Sequence, residues 1–262
     1  MTGEFVLITS IIAGAGFVRG ALGFGDALFA MPLLALLIPT ITAAPLVALT
    51  ATLIAAVILI RDWRHVVWRP ATLLTVFGLL AVPFGVWLLK SGDDRLVKGL
   101  LASVVLTFSI WSLWKPDRFQ LRNDRLAPVF GIAAGLLGGA YNTAGPPLVI
   151  FGTLRRWSPE QFRATLQTYC LIGSLWVIVL HSLTGLMTRS IVNQFVFSVP
   201  LIVISTLVGL RVTRRIPTER FVRVVHAALI VVGLSLIVAC FNDGGPANES
   251  AVPTSAEGVV SS

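Results

Sequence analysis

The chain has 262 residues, of which 56% are hydrophobic and only 12% charged. Soluble domains run nearer a quarter charged, so an ordinary soluble enzyme is excluded and a polytopic membrane protein is indicated. The formal charge of +8 does not signal nucleic-acid binding, because the basic residues fall in short loops between apolar runs, where they fix topology.

The first segment, residues 4–38, is apolar but interrupted by Gly23, Gly25 and Asp26 and followed by Pro32. As one helix its 35 residues would be about 52 Å long, against a hydrocarbon core of about 30 Å. The glycines divide it into 4–19 and 27–38, which predicts a broken-helix hairpin. Glu4 and the lack of a basic leader argue against a cleaved signal peptide. Spanning helices are expected at 43–60, 71–89 and 95–114. A second hairpin is expected over 126–154, then spans at 160–182, 190–211 and 219–240. Trp63, Trp68, Trp111, Trp114 and Trp157 lie near the predicted ends, as an interfacial aromatic belt requires. Residues 241–262 hold three acids and no Lys or Arg, a composition expected to be disordered. Cys170 and Cys240 are far apart and suggest neither a disulfide framework nor a metal site.

The two hairpins echo each other. At an offset of 115, Gly16, Gly20, Gly23 and Pro32 fall on Gly131, Gly135, Gly138 and Pro147. A later block, RLVKGLLASVVLTFSIWSL from Arg95, matches RFVRVVHAALIVVGLSLIV from Arg220 in pattern. The expected domains are therefore a first repeat, 1–118, a second, 119–240, and the tail. Charge arbitrates their orientation. If each repeat opens with a hairpin, fifteen of the 20 basic residues fall on one side and four on the other, with Arg19 set aside. If each opens with a full crossing, the split is eleven against eight. The cytoplasmic excess of Lys and Arg favours the first. The fold class is all-α and polytopic: two inverted repeats, each a broken-helix hairpin plus three transmembrane helices, with both termini outside.

Broken helices at membrane depth are tolerated only where they are buried or line a cavity. Each break exposes amides at a half-helix N-terminus with partial positive charge, a setting for an anion. The substrate-binding candidates are Gly23, Gly25, Asp26, Gly138, Gly139, Tyr141, Asn142, Thr143, Gly145, Arg163 and Gln167. Pro146 and Pro147 suit a first helical turn. Asp26, which costs about 2.5–3.5 kcal/mol at mid-membrane on insertion scales, is a site for a coupling proton or sodium ion and equally an N-cap. Arg19 contacts the solute, neutralises Asp26 or caps its own helix. Thr50 and Thr52 read as packing residues, and His181 and His226 as structural ones. Ser174 and His181 are two helical turns apart, too far for a nucleophile–base pair, and no P-loop, zinc motif or nucleophile elbow occurs. An enzyme is not expected, nor an organic cofactor or metal. An anion channel on the same scaffold stays open.

The segments GFVRGALGFGDALFAMPLL from Gly16 and GIAAGLLGGAYNTAGPPLV from Gly131 resemble the duplicated glycine-rich motifs of the sulfite exporter TauE/SafE family of membrane permeases. The resemblance spans roughly residues 5–240. It implies transport of sulfur-containing anions, sulfite or organosulfonates, across the inner membrane. With the site set between the two repeats, a secondary transporter working by alternating access is expected. The expected partners are that small anion, the bilayer and, in an assembly left open, further copies of the chain. In this sequence Asp26 interrupts the first glycine run, and Tyr141 and Asn142 the second.

Overall fold

The computed structural model describes residues 3–92, 94–114 and 120–212, together with residues 230 and 234. The expected last span at 219–240, the tail, His226 and Cys240 lie outside the described residues. Nine α-helices occur among those described: α1 Gly3–Leu22, α2 Asp26–Ala35, α3 Thr40–Asp62, α4 Trp68–Ser91, α5 Asp94–Trp114, α6 Ala127–Tyr141, α7 Gly145–Leu154, α8 Pro159–Leu183 and α9 Arg189–Val212. Five helical segments are long and apolar enough to cross a membrane, namely α1, the stretch Thr40–His65, α4, α8 and α9. The protein is an all-α polytopic membrane protein.

Helix α2 and helix α7 have 10 residues each. At about 1.5 Å per residue they reach only about 15 Å, half the core. The chain turns between α1 and α2, and again between α6 and α7, so each pair is a hairpin packed along itself. One boundary differs from the sequence expectation: α1 continues past Arg19 to Leu22. Gly20 does not break it. A Cβ on Gly20 would lie 2.4 Å from the Thr206 carbonyl oxygen of α9, so this glycine serves close helix approach instead.

The same device recurs between α6 and α4. A Cβ on Gly135 would fall 2.1 Å from the Gly78 carbonyl, and one on Gly139 2.2 Å from the Val82 carbonyl. In a bilayer, where lipid is as apolar as leucine, such backbone-to-backbone packing drives association. Gly138, on another face, has its nearest neighbour at 3.6 Å. Gly135→Leu is therefore expected to lower the detergent unfolding midpoint steeply, through an overpacking penalty of at least about 1–3 kcal/mol. Gly138→Ala should leave the midpoint close to wild type. Equal midpoints for the two variants would contradict the packing.

These contacts fix helix directions. Helix α1 runs parallel to α9, since Gln194 donates to the Phe5 carbonyl at 3.2 Å near both starts and Gly20 meets Thr206 near both ends. Helix α6 runs parallel to α4 by the successive contacts Gly131–Leu74, Gly135–Gly78 and Gly139–Val82. At one end of the bundle the Val67 N–H donates to Thr165 Oγ1 at 3.0 Å and Arg163 pairs with Asp62. At the other, Lys90 Nζ donates to the Thr184 carbonyl at 3.3 Å, just before α9 begins at Arg189. Helices α4 and α9 thus run in opposite senses, and so do the helices packed on them, α1 and α6.

Helix α8 starts cleanly because Ser158 caps it. Its side chain accepts from the Gln161 N–H while the Gln161 side chain accepts from the Ser158 N–H, with Pro159 in the first turn. The inner face of α8 then crosses the centre of the molecule beside α3 and α4.

Candidate functional site

The first break is built from glycine. Gly23 and Gly25 have φ of 82° and 94°, left-handed values that cost a residue with a Cβ. The Gly23 N–H ends α1 on the Arg19 carbonyl at 2.7 Å. Gly25 stands at the cap of α2 and offers no side chain to its first turn. The first intrahelical bond runs from the Phe29 N–H to the Gly25 carbonyl at 2.9 Å. The amides of Asp26, Ala27 and Leu28 precede it and are the orphan donors of that helix end. Phe24, between the two glycines, is clamped edge-on by Phe108 and Phe162.

The second break uses asparagine. Asn142 takes φ 54°, the left-handed cap of α6, a conformation asparagine tolerates. Its N–H reaches the Gly138 carbonyl at 2.9 Å and the Thr143 N–H the Leu137 carbonyl at 3.2 Å. Its side chain is also held: Nδ2 donates to the Val47 carbonyl at 3.2 Å and Oδ1 accepts from Ser174 Oγ at 3.5 Å. Helix α7 begins at Gly145 with Pro146 and Pro147 in its first turn. The prolines carry no N–H, so α7 presents fewer free amides than α2.

The two breaks come together around one buried cavity of about 30 Å³, room for more than the roughly 10–15 Å³ that a single water needs. Of the residues expected at the site, Gly25, Asp26, Gly138, Asn142, Thr143 and Gly145 line it. Gly23, Gly139, Tyr141, Arg163 and Gln167 do not. Gly139 is spent on packing against α4, and Tyr141 is buried in the core with its hydroxyl unpaired. Arg163 is engaged by Asp62 at the end of α3, with its aliphatic stem against Gly23. Arg19, Tyr169, Cys170 and Ser174 also line the cavity. Of the α8 members, Cys170 and Ser174 share one helical stripe with Gln167, a spacing visible in the sequence once the glutamine is taken as facing inward.

An ion cluster closes one wall. Arg19 is only 1% exposed, yet each nitrogen of its guanidinium has a partner. Nη1 donates to Asp26 Oδ2 at 2.6 Å, while Nε and Nη2 both donate to Gln167 Oε1 at 2.9 and 2.7 Å. Gln167 Nε2 in turn donates to the Gly23 carbonyl at 2.7 Å. Asp26 does not act as an N-cap, because no side-chain cap bond forms on α2. A buried charge is tolerated when it is paired and further hydrogen-bonded, and this cluster supplies both the Asp26 carboxylate and the Gln167 amide. It also fastens the first hairpin to α8.

A bundle of membrane-crossing helices that folds two interrupted hairpins, oppositely directed, around one shared cavity is the build of a membrane transporter. The sequence profile of the sulfite exporter TauE/SafE family matches residues 8–236, and the chain belongs to that family. It is 27% identical over 234 residues, 87% of this chain and 91% of the other, to a protein of Cupriavidus necator described as a probable sulfite/organosulfonate exporter TauE. No solved structure matches it.

Proposed function

We propose that this chain carries a small sulfur-containing oxyanion, sulfite or an organosulfonate, across the inner membrane by alternating access. The anion sits between the first turns of α2 and α7. The observation that carries this is the single cavity lined by both breaks, Gly25–Leu28 on one side and Asn142–Gly145 on the other. Free amides of α2 and the Gly145 amide supply the positive pole. Thr143 and Ser174 add hydroxyl donors when they turn from their long 3.5 Å bonds to the Leu137 carbonyl and Asn142 Oδ1. Export, as the direction, rests on the description of the Cupriavidus protein.

Charge balance supports coupling at Asp26. With Arg19 and Asp26 paired, the cavity wall is neutral, so an arriving anion adds a net buried charge. That charge is expensive unless a cation comes with it. A proton or a sodium ion on Asp26 restores neutrality and frees Arg19 to face the anion. The hairpins are read as the openings of two inverted repeats. The end bearing Arg61–Arg69 and Arg155–Arg163 is cytoplasmic by its basic excess, which places the N-terminus outside.

An anion panel tests the assignment. In proteoliposomes and by thermal shift, sulfite and sulfoacetate are compared with sulfate and acetate. Sulfite is expected to raise the unfolding midpoint and to drive counterflow of labelled sulfite. Stabilisation by acetate alone would overturn the substrate class, and flux without counterflow would identify a channel instead.

A further inference from the structure

Helix α8 presents Cys170, Ser174 and Val177 to the cavity. At about 100° per residue the next position on that stripe is His181. Its side chain is completely buried at 0% exposure, yet neither Nδ1 nor Nε2 has a hydrogen-bond partner. An imidazole buried dry and unpaired is costly, and such exceptions call for a reason. At the end of the cavity toward His181 stands a small separate apolar cluster of Ala48, Val82, Val86 and Val177, of which Val82 and Val177 line the cavity itself. Beyond it, one turn further, Lys90 from α4 caps the Thr184 carbonyl at the bundle surface. Along α8 from the centre outward the order is cavity, apolar collar, unpaired imidazole and surface cation. The opposite wall of the cavity is shut by the Arg19–Asp26–Gln167 cluster.

We propose that the path between the cavity and the face bearing Lys90 and Arg189 runs along this stripe of α8, with the Val82–Val86–Val177 collar as its constriction and His181 as its outer gate residue. In the closed arrangement the collar keeps the imidazole dry, as hydrophobic constrictions do. When that side opens, the imidazole gains water or the passing oxyanion as its partner. The inference rests on the cavity being the substrate site and adds the route out of it.

The test uses the full chain in proteoliposomes, with Cys170→Ala and Cys240→Ala as background. His181→Cys is exposed to 2-sulfonatoethyl methanethiosulfonate, a membrane-impermeant sulfonate anion, from the Lys90 face without sulfite present. Its labelling is expected to exceed that of Val179→Cys, on the outward side of α8, by about tenfold, since no water reaches a lipid-facing position. Equal labelling would overturn the path. In parallel, His181→Leu is expected to keep the sulfite-induced thermal shift but to slow transport by about tenfold, with His181→Gln retaining most of it, because a permanently apolar gate resists wetting. A merely structural imidazole predicts the reverse, as leucine in a dry unpaired site is neutral or stabilising. Wild-type transport in His181→Leu would therefore also refute the gate. Absence of any sulfite shift in the wild type would sink the substrate assignment instead, while the labelling still decides the route.

Discussion

Replacement of Arg19 by glutamine is expected to be the most damaging single change in the cavity wall. It strips Asp26 Oδ2 of its guanidinium donor and leaves Gln167 Oε1 without the two N–H groups that now hold it. The carboxylate stays buried, at 7% exposure. Breaking a buried pair by removing one partner costs about 3–5 kcal/mol, a large share of the 5–15 kcal/mol that holds a typical domain together. The variant should therefore either fail to accumulate in the membrane or unfold far below wild type in detergent. The double variant Arg19→Gln/Asp26→Asn removes both charges and should recover most of that stability, because replacing a buried pair outright is often neutral. Transport should stay lost in both. The double-mutant cycle measures the coupling directly. A coupling near zero would mean that the two side chains are not paired in the folded protein.

Asp26→Asn alone separates binding from coupling. Asparagine keeps the size of the side chain and can still accept from Arg19, but it carries no charge and takes no proton. Arg19 then stands as an uncompensated cation at the cavity, which lowers the unfolding midpoint of the anion-free protein and makes it hold an anion more tightly. Sulfite exchange across the vesicle membrane is expected to persist with a lower KM and a reduced turnover, the pattern of a tightened ground state. Gradient-driven accumulation should fall by about tenfold or more, since loss of even 1.4 kcal/mol of coupling is a factor of ten. Accumulation that keeps its full proton or sodium dependence in this variant would remove Asp26 from the coupling role.

Much of the architecture could be read from the chain because bilayer thickness makes length informative. A 35-residue apolar stretch cannot run straight across about 30 Å, and Gly23 and Gly25 mark where it yields, as Gly145-Pro146-Pro147 do in the second hairpin. The contacts that assemble the cavity wall were not legible. Arg19 meets Gln167 across 148 positions, and Asp62 meets Arg163 across 101; neither pairing leaves a local pattern. Arg163 reads as an anion clamp when its partner is unknown, and as half of an ion pair once Asp62 is seen beside it. The repeated glycines carried two meanings that sequence alone cannot separate. Gly23 and Gly25 turn the backbone, whereas Gly20, Gly135 and Gly139 stay helical and admit a neighbouring backbone. Only the partner helix tells them apart. His181 reads as an ordinary helix-end residue until both its ring nitrogens are seen to lack a hydrogen-bond partner.

The most direct measurement is a structure of the full chain with selenite, the heavier analogue of sulfite, located by its anomalous scattering. The selenium peak is predicted in the cavity between Gly25–Leu28 and Asn142–Gly145, within hydrogen-bonding reach of the α2 amides and the Gly145 N–H. A peak bound elsewhere, with that cavity unchanged and Arg19 still turned wholly to Asp26 and Gln167, would contradict the account.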